Sequence, residues 1–361
     1  MYSLLVTSSG AVVGKTPVLA NPFLRIAFAT DLSATARMET LVPSSMIPSA
    51  SPGPERSVPE TVRAAFAPAG TLEAARGYTR RLALGHYENF SVVSLLLPKS
   101  LRQDFSNVYA FCRTADDLGD EVPDKKLALE YLGRFRDHTR ACYEGRYLSP
   151  LFLALSETIQ KYQIPIGPFL DLIDAFEQDQ RVDRYENFDQ VVDYCRRSAD
   201  PVGRLVLYMC GYRDEERQRL SDRTCTALQL ANFWQDVRRD IIERDRIYVP
   251  KDSMEQFGVT EEQIREGRCD DNYRRLLRFE VDRTEKLFDQ GDALLPLLAP
   301  EHRRHVMLFS KGGRAVLQSI RRQNYDTLSR RPRLSKFQKG RLMLRAMTAT
   351  AAAKLTGRSR P

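Results

Sequence analysis

Two aspartate pairs carry a spacing that can do chemistry. Asp116 and Asp120 close the run Arg113-Thr-Ala-Asp116-Asp117-Leu-Gly-Asp120, and Asp236 and Asp240 close Gln229-Leu-Ala-Asn232-Phe-Trp-Gln235-Asp236-Val-Arg-Arg-Asp240. Residues at i and i+4 of a helix are neighbours on one face, so each pair projects its carboxylates side by side. That arrangement repels itself unless a cation sits between the two. Hard oxygen donors of this kind suit Mg²⁺, which keeps several waters and takes further ligands from a substrate phosphate. Arg113, one turn before Asp116, offers a planar fork for phosphate oxygens.

A lone DxxxD on a helix is most often solvated surface charge. Asp116 and Asp120 follow an apolar stretch, Val108-Tyr-Ala-Phe-Cys112, which argues against that reading. The second pair extends a longer pattern, because Gln229, Asn232, Asp236 and Asp240 step by three, four and four. At about 3.6 residues per turn these side chains form one polar line. Leu230, Phe233 and Val237 on the other faces are apolar, so the line must face something polar inside the protein. Two such helices across a cavity would hold magnesium and a diphosphate. They would also neutralise the charge that develops as a carbon–oxygen bond breaks. The space beyond should be apolar and aromatic, to protect the carbocation left behind.

The elements that position these residues are helical. Apolar residues recur at three- and four-residue steps over Leu101 to Leu118, Lys126 to Tyr143, Leu151 to Tyr162, Phe169 to Gln178, Cys225 to Ile242 and Tyr273 to Leu298. Pro98, Pro123, Ser149-Pro150, Pro165 to Pro168, Pro201, Gly211, Pro250, Pro300 and Gly312-Gly313 are read as the breaks between helices. Alternating patterns are scarce, and Val92-Val93 is too short for a strand. The fold class expected is all-α: a single helical domain over 59–335 around a central apolar cavity. Residues 1–58 are rich in Ala, Ser, Thr, Val and Pro without helical period. They read as a disordered leader, or as the product of a start upstream of Met38 or Met46. No basic residue precedes their weak apolar patch, so they do not read as a secretory signal.

Composition sets further bounds. Of 361 residues, 42% are hydrophobic and 28% charged, as in an ordinary globular protein. No run of eighteen apolar residues is present, so no transmembrane helix is expected. Six cysteines without a CxxC pair fit neither a zinc site nor a redox motif, and read as reduced, mostly buried thiols of a cytoplasmic protein. The net charge of +8 is concentrated at one end: from Arg321 onward there are twelve Lys/Arg and one acid, Asp326. Residues 336–361 therefore form a basic tail. Solvated end, attraction to an anionic membrane at the inner face of the cytoplasmic membrane, and nucleic-acid contact are its possible readings. Only Tyr325 and Phe337 could stack on bases, which disfavours the last.

Several motifs together resemble the squalene/phytoene synthase family. They are His86-Tyr-Glu-Asn-Phe90, Ser94-Leu-Leu-Leu-Pro98, Tyr109-Ala-Phe-Cys-Arg-Thr-Ala-Asp-Asp117, Tyr194-Cys195 with Pro201-Val-Gly203, and Asn232 to Asp240 followed by Arg246-Ile-Tyr-Val-Pro250. Their order and spacing cover roughly residues 75–330. Within the family the likeness is to the bacterial hopanoid-pathway branch that makes hydroxysqualene. The resemblance implies the isoprenoid synthase fold and Mg²⁺ dependence. It also implies ionisation of presqualene diphosphate, rearrangement and capture by water, with no nicotinamide. By position it makes Asp116, Asp120, Asp236 and Asp240 the magnesium ligands, aided by Gln229 and Asn232. It makes Arg113 a diphosphate contact and puts His86 at the diphosphate end. Tyr109 and Tyr248 become candidates for the cavity wall.

Departures from the family pattern matter. Arg196-Arg197 follow Tyr194-Cys195 where relatives that join two prenyl diphosphates have an aromatic-flavoured stretch. Gln235 stands where they commonly carry arginine, and Asp200 where this branch would have asparagine. The first two changes suggest a site that handles one diphosphate rather than two. The sister reading is a head-to-head synthase giving presqualene diphosphate, squalene or phytoene. A non-catalytic assembly factor with the same fold is the remaining alternative, and the presence of all four aspartates speaks against it.

Overall fold

Helices begin and end where the side chains dictate. The computed structural model describes residues 60–85 and 99–333. Its helices are α1 (Glu60–Ala65), α2 (Leu72–Gly85), α3 (Arg102–Asp120), α4 (Lys125–Tyr143), α5 (Pro150–Tyr162), α6 (Gly167–Asp179), α7 (Phe188–Ser198), α8 (Asp200–Met209), α9 (Glu215–Arg244), α10 (Lys251–Phe257), α11 (Glu261–Glu266), α12 (Asp271–Gly291) and α13 (Pro300–Arg322). No strand occurs among the described residues; Arg184 and Ile247 form an isolated parallel bridge. His86, Val92-Val93, the leader and the basic tail lie outside the described residues.

Side-chain caps set several starts. Asp124, Asn187, Asp214, Thr260 and Asp270 each accept a hydrogen bond from the backbone N–H three residues on, which satisfies a donor the helix would leave orphaned. Pro201 at the second residue of α8 lacks an N–H and cannot continue α7, so the two helices meet at Ala199. One expected break is absent: α13 runs straight through Gly312-Gly313. Gly313 is there for close approach, since a Cβ on it would collide with the Phe288 ring and Leu228 Cδ2. A similar clash with Cys225 Sγ and Ser221 Oγ keeps Gly203 bare where α8 crosses α9. Two other expectations shift at their ends. α9 begins at Glu215 rather than Cys225, and α12 stops at Gly291, followed by a 3₁₀ turn over Asp292–Leu297 that holds Pro296.

α9 is the central helix, buried on nearly every face from Leu220 to Ile241 and packed by α8, α12 and α13. α3 is the second, packed by α2, α4, α5 and α6. An aromatic knot fixes α3 to its neighbours: the Phe111 ring lies 4.9 Å from Phe135 on α4 and 4.7 Å from Phe169 on α6. Among the described residues α3 and α9 share little direct packing, and their link is made by charged side chains. All six cysteines are unpaired and four are buried.

Candidate active site

The first acidic motif occupies the last turns of α3. Asp116 and Asp117 are almost wholly buried, with Arg113 beside them. Arg113 Nη2 pairs with Asp117 Oδ1, and Nη1 lies 3.5 Å from Asp116 Oδ2, as i+4 and i+3 spacings require. Its fork therefore has carboxylate partners on its own helix. Burial, reinforced by the neighbouring Asp120, pushes the Asp116 carboxyl up to about 7, against the pull of Arg113. A carboxyl so strained by a like charge gains from any added cation.

The second motif behaves as its spacing implies. Gln229, Asn232, Asp236 and Asp240 are all buried along α9. Asn232 Nδ2 donates to the Leu228 carbonyl at 2.9 Å. Gln229 Oε1 has no hydrogen-bond partner. Asp236 takes a two-pronged contact from Arg331: Nε donates to Oδ1, and Nη2 to Oδ2 at 3.0 Å. Arg331 arrives from the segment after α13, where Asn324 and Tyr325 adopt positive φ of 50° and 59° and turn the chain back along α9. Arg238 Nη1 holds the Leu328 carbonyl at 3.1 Å. Gln235 Nε2 donates to the Pro332 carbonyl at 2.5 Å. The residue that departs from the family pattern thus anchors the segment that delivers a guanidinium to Asp236.

Arg244 on α9 and Arg246 just past it both reach Asp120 of the first motif. Arg244 Nη2 lies 2.8 Å from Asp120 Oδ2. Burial opposes its charge, yet Asp120, Asp240 and Asp116 together hold its pKa above the usual arginine value. That ion pair ties the end of α9, one turn past Asp240, to the last residue of α3. Arg246 Nη1 lies 3.8 Å from Asp120 Oδ1 and 3.3 Å from Asp179 Oδ2. Asp179 ends α6, and Tyr194 OH donates to its Oδ2 at 2.8 Å. Burial raises the Asp179 carboxyl to about 6, with Arg246 pulling the other way.

Backbone pairing sets the aromatic wall. Ile247 N–H donates to the Asp183 carbonyl and Lys251 N–H to that of Tyr185, both at 2.9 Å, so the chain after α9 runs beside residues 183–186. Tyr248 is thereby laid flat on Phe233, centroids 3.6 Å apart and planes within 5°. It also lies 5.7 Å from both Tyr185 and Tyr194. Tyr109 is buried on α3 one turn before Arg113, and burial raises its phenol above the usual tyrosine range.

Asp116, Asp120, Asp236, Asp240, Gln229, Asn232, Arg113, Tyr109 and Tyr248 are thus all buried side chains, and Arg244 links α9 to the first motif. His86 lies outside the described residues. Arg196 and Arg197 do not belong to the site. Both pair with Asp193, at 3.8 and 2.5 Å, on the outer side of α7, and the Arg196 side chain is 67% exposed. Asp200 is buried and accepts from Thr226 Oγ1 at 2.9 Å. Burial and nearby Asp222 push its carboxyl well above the usual range. Sequence reasoning missed Asp117, Asp179, Arg244 and Arg331. Asp117 and Arg244 were within sight, one residue from Asp116 and four from Asp240.

Among the described residues no three of His, Cys, Asp and Glu gather into a ready ion cage. The donor set fits magnesium in another way. Each helix offers a carboxylate pair, Gln229 adds an unpartnered buried oxygen, and a diphosphate would complete the shell.

A family model described as squalene/phytoene synthase matches residues 84–338. A phytoene synthase from Arthrospira platensis is 28% identical over 272 residues, covering 72% of this chain and 88% of the relative. Phytoene synthase 1 of Solanum lycopersicum is 27% identical over 275 residues, covering 75% and 67%. The crystal structure of squalene synthase HpnC from Alicyclobacillus acidocaldarius is 48% identical with a TM-score of 0.67, covering 71% of this chain and 96% of that one. A dehydrosqualene synthase structure, 22% identical with a TM-score of 0.69 over 78% of this chain and 98% of that one, is similar in fold.

Proposed function

The chain belongs to the squalene/phytoene synthase family, whose members use prenyl diphosphates, and from that premise we propose that it converts presqualene diphosphate to hydroxysqualene. Asp116, Asp120, Asp236 and Asp240 would hold Mg²⁺, with Gln229 and Asn232 adding neutral oxygens. Bound there, the metal would neutralise the diphosphate and ease its departure. Arg113, Arg244 and Arg331 already rest on carboxylates. A diphosphate offers the same two-oxygen geometry to each fork, so the arginines can hold it without being drawn from solvent. Tyr109, Tyr248 and Phe233 present aromatic faces that stabilise a carbocation without reacting with it. His86 is assigned to the diphosphate end on its motif alone.

Gln235 is the observation that favours one diphosphate over two. Relatives that join two prenyl chains commonly have a charged arginine there; here the residue is a neutral amide spent on the Pro332 carbonyl. Arg331 then supplies a single guanidinium at Asp236. The 48% identity to a squalene synthase supports a C30 substrate. The phytoene synthase relatives favour the second reading, head-to-head joining. Purified protein with Mg²⁺ should turn presqualene diphosphate into an alcohol and leave farnesyl diphosphate untouched. Formation of a C30 diphosphate from farnesyl diphosphate alone would overturn the hydroxysqualene reading in favour of joining.

A further inference from the structure

A buried cluster beside the aspartate pairs is left unused by that reading. Its centre is Asp179, whose Oδ2 is engaged by Tyr194 OH at 2.8 Å and lies 3.3 Å from Arg246 Nη1. Its Oδ1 is buried and has no hydrogen-bond partner. The hydroxyl of Tyr185 is likewise buried without a partner. The Tyr185 ring lies 5.8 Å from that of Tyr194, whose hydroxyl holds Asp179. A buried polar group left without a hydrogen bond is costly to the fold. An acceptor and a hydroxyl left open together point to a small ligand that can both donate and accept. Water is that ligand.

The surroundings give such a water a use. Arg246 reaches from Asp179 toward Asp120, 3.8 Å away, so the cluster adjoins the first acidic pair. Tyr194 and Tyr248 wall it, their centroids 5.7 Å apart, and Phe233 lies 6.1 Å from Tyr194. A water in this place is shielded from bulk solvent and close to where the leaving group departs.

We propose that Asp179 Oδ1 and the Tyr185 hydroxyl hold the water that captures the carbocation, with Asp179 taking its proton. The inference rests on the reading that this enzyme makes an alcohol. The carbon–oxygen bond to diphosphate breaks and both electrons leave with the diphosphate. A lone pair of the water forms the new carbon–oxygen bond. The proton the water sheds passes to Asp179 and then to the departing diphosphate. Substrate plus water thus becomes alcohol plus hydrogen diphosphate.

The test is a product ratio, which a merely structural role would not move. Wild type, Asp179→Asn and Tyr185→Phe are each given presqualene diphosphate and Mg²⁺ in H₂¹⁸O. Diphosphate release is measured beside the C30 products. Wild type should give labelled alcohol. In both variants the alcohol formed per diphosphate released should fall about fivefold or more, replaced by hydrocarbon formed through proton loss. An unchanged ratio in both variants, at whatever overall rate, would overturn the proposal. Tyr185→Phe removes one oxygen only and carries the test if Asp179→Asn does not fold. A wild type that makes no alcohol would instead overturn the reading beneath the proposal, and that outcome is visible without any variant.

Discussion

Asp116 bears the electrostatic tension of the site. Its folded pKa is raised, to about 7, by burial and by Asp120, whereas an unfolded aspartate titrates near 3.9. The folded state therefore binds its proton more tightly. The associated stability is fully present below about pH 4 and is lost as pH rises through about 7. In EDTA the melting temperature should fall between about pH 4 and 7, and Asp116→Asn should flatten that fall. Mg²⁺ with inorganic diphosphate should restore stability at the alkaline end, because it binds the ionised folded form. A slope that is the same in Asp116→Asn would assign the tension elsewhere. The aspartate pairs were legible because helical geometry fixes what i and i+4 do. Arg331 and Asp179 were not, because they reach the site only through the tertiary fold. Gln235 anchors the Pro332 carbonyl, whereas Arg196 is exposed and Arg197 half-buried on α7, both paired with Asp193.

Helix existence followed from apolar period, and helix ends did not. α9 extends back to Glu215 because Asp214 caps it, and its first turns are polar and invisible to an apolar count. Glycine was the least readable residue. Gly312-Gly313 looked like a stop, yet α13 needs Gly313 to lie against Phe288 and Leu228. Gly313→Ala should therefore destabilise by about 1–3 kcal/mol through overpacking. Gly133, within α4, has open space where a Cβ would go. Gly133→Ala should stabilise by about 0.5–1 kcal/mol through helix propensity. Denaturant titration of the two variants should give opposite signs. The same sign in both would refute this packing account of α13.

At the scale of the molecule, no helix among the described residues is long and apolar enough to cross a membrane. A prenyl diphosphate substrate must nevertheless be reached, and the basic tail of residues 336–361 is suited to an anionic bilayer surface. The structure shows where to cut: Arg331 and Pro332 contact Asp236 and Gln235, so truncation must fall after Arg333. That truncation should weaken sedimentation with anionic vesicles and leave turnover of detergent-dispersed substrate unchanged. Undiminished vesicle binding would remove the tail from that role. The central claim is that α3 and α9, which hardly touch, form two walls of one site. Calorimetry of Mg²⁺ with inorganic diphosphate tests it most directly, on wild type, Asp116→Asn, Asp236→Asn and the double variant. If the walls act together, each single change should weaken binding about tenfold or more, and the double should lose much less than the product of the two. Losses that simply multiply, or a single variant that binds as wild type does, would contradict a shared site.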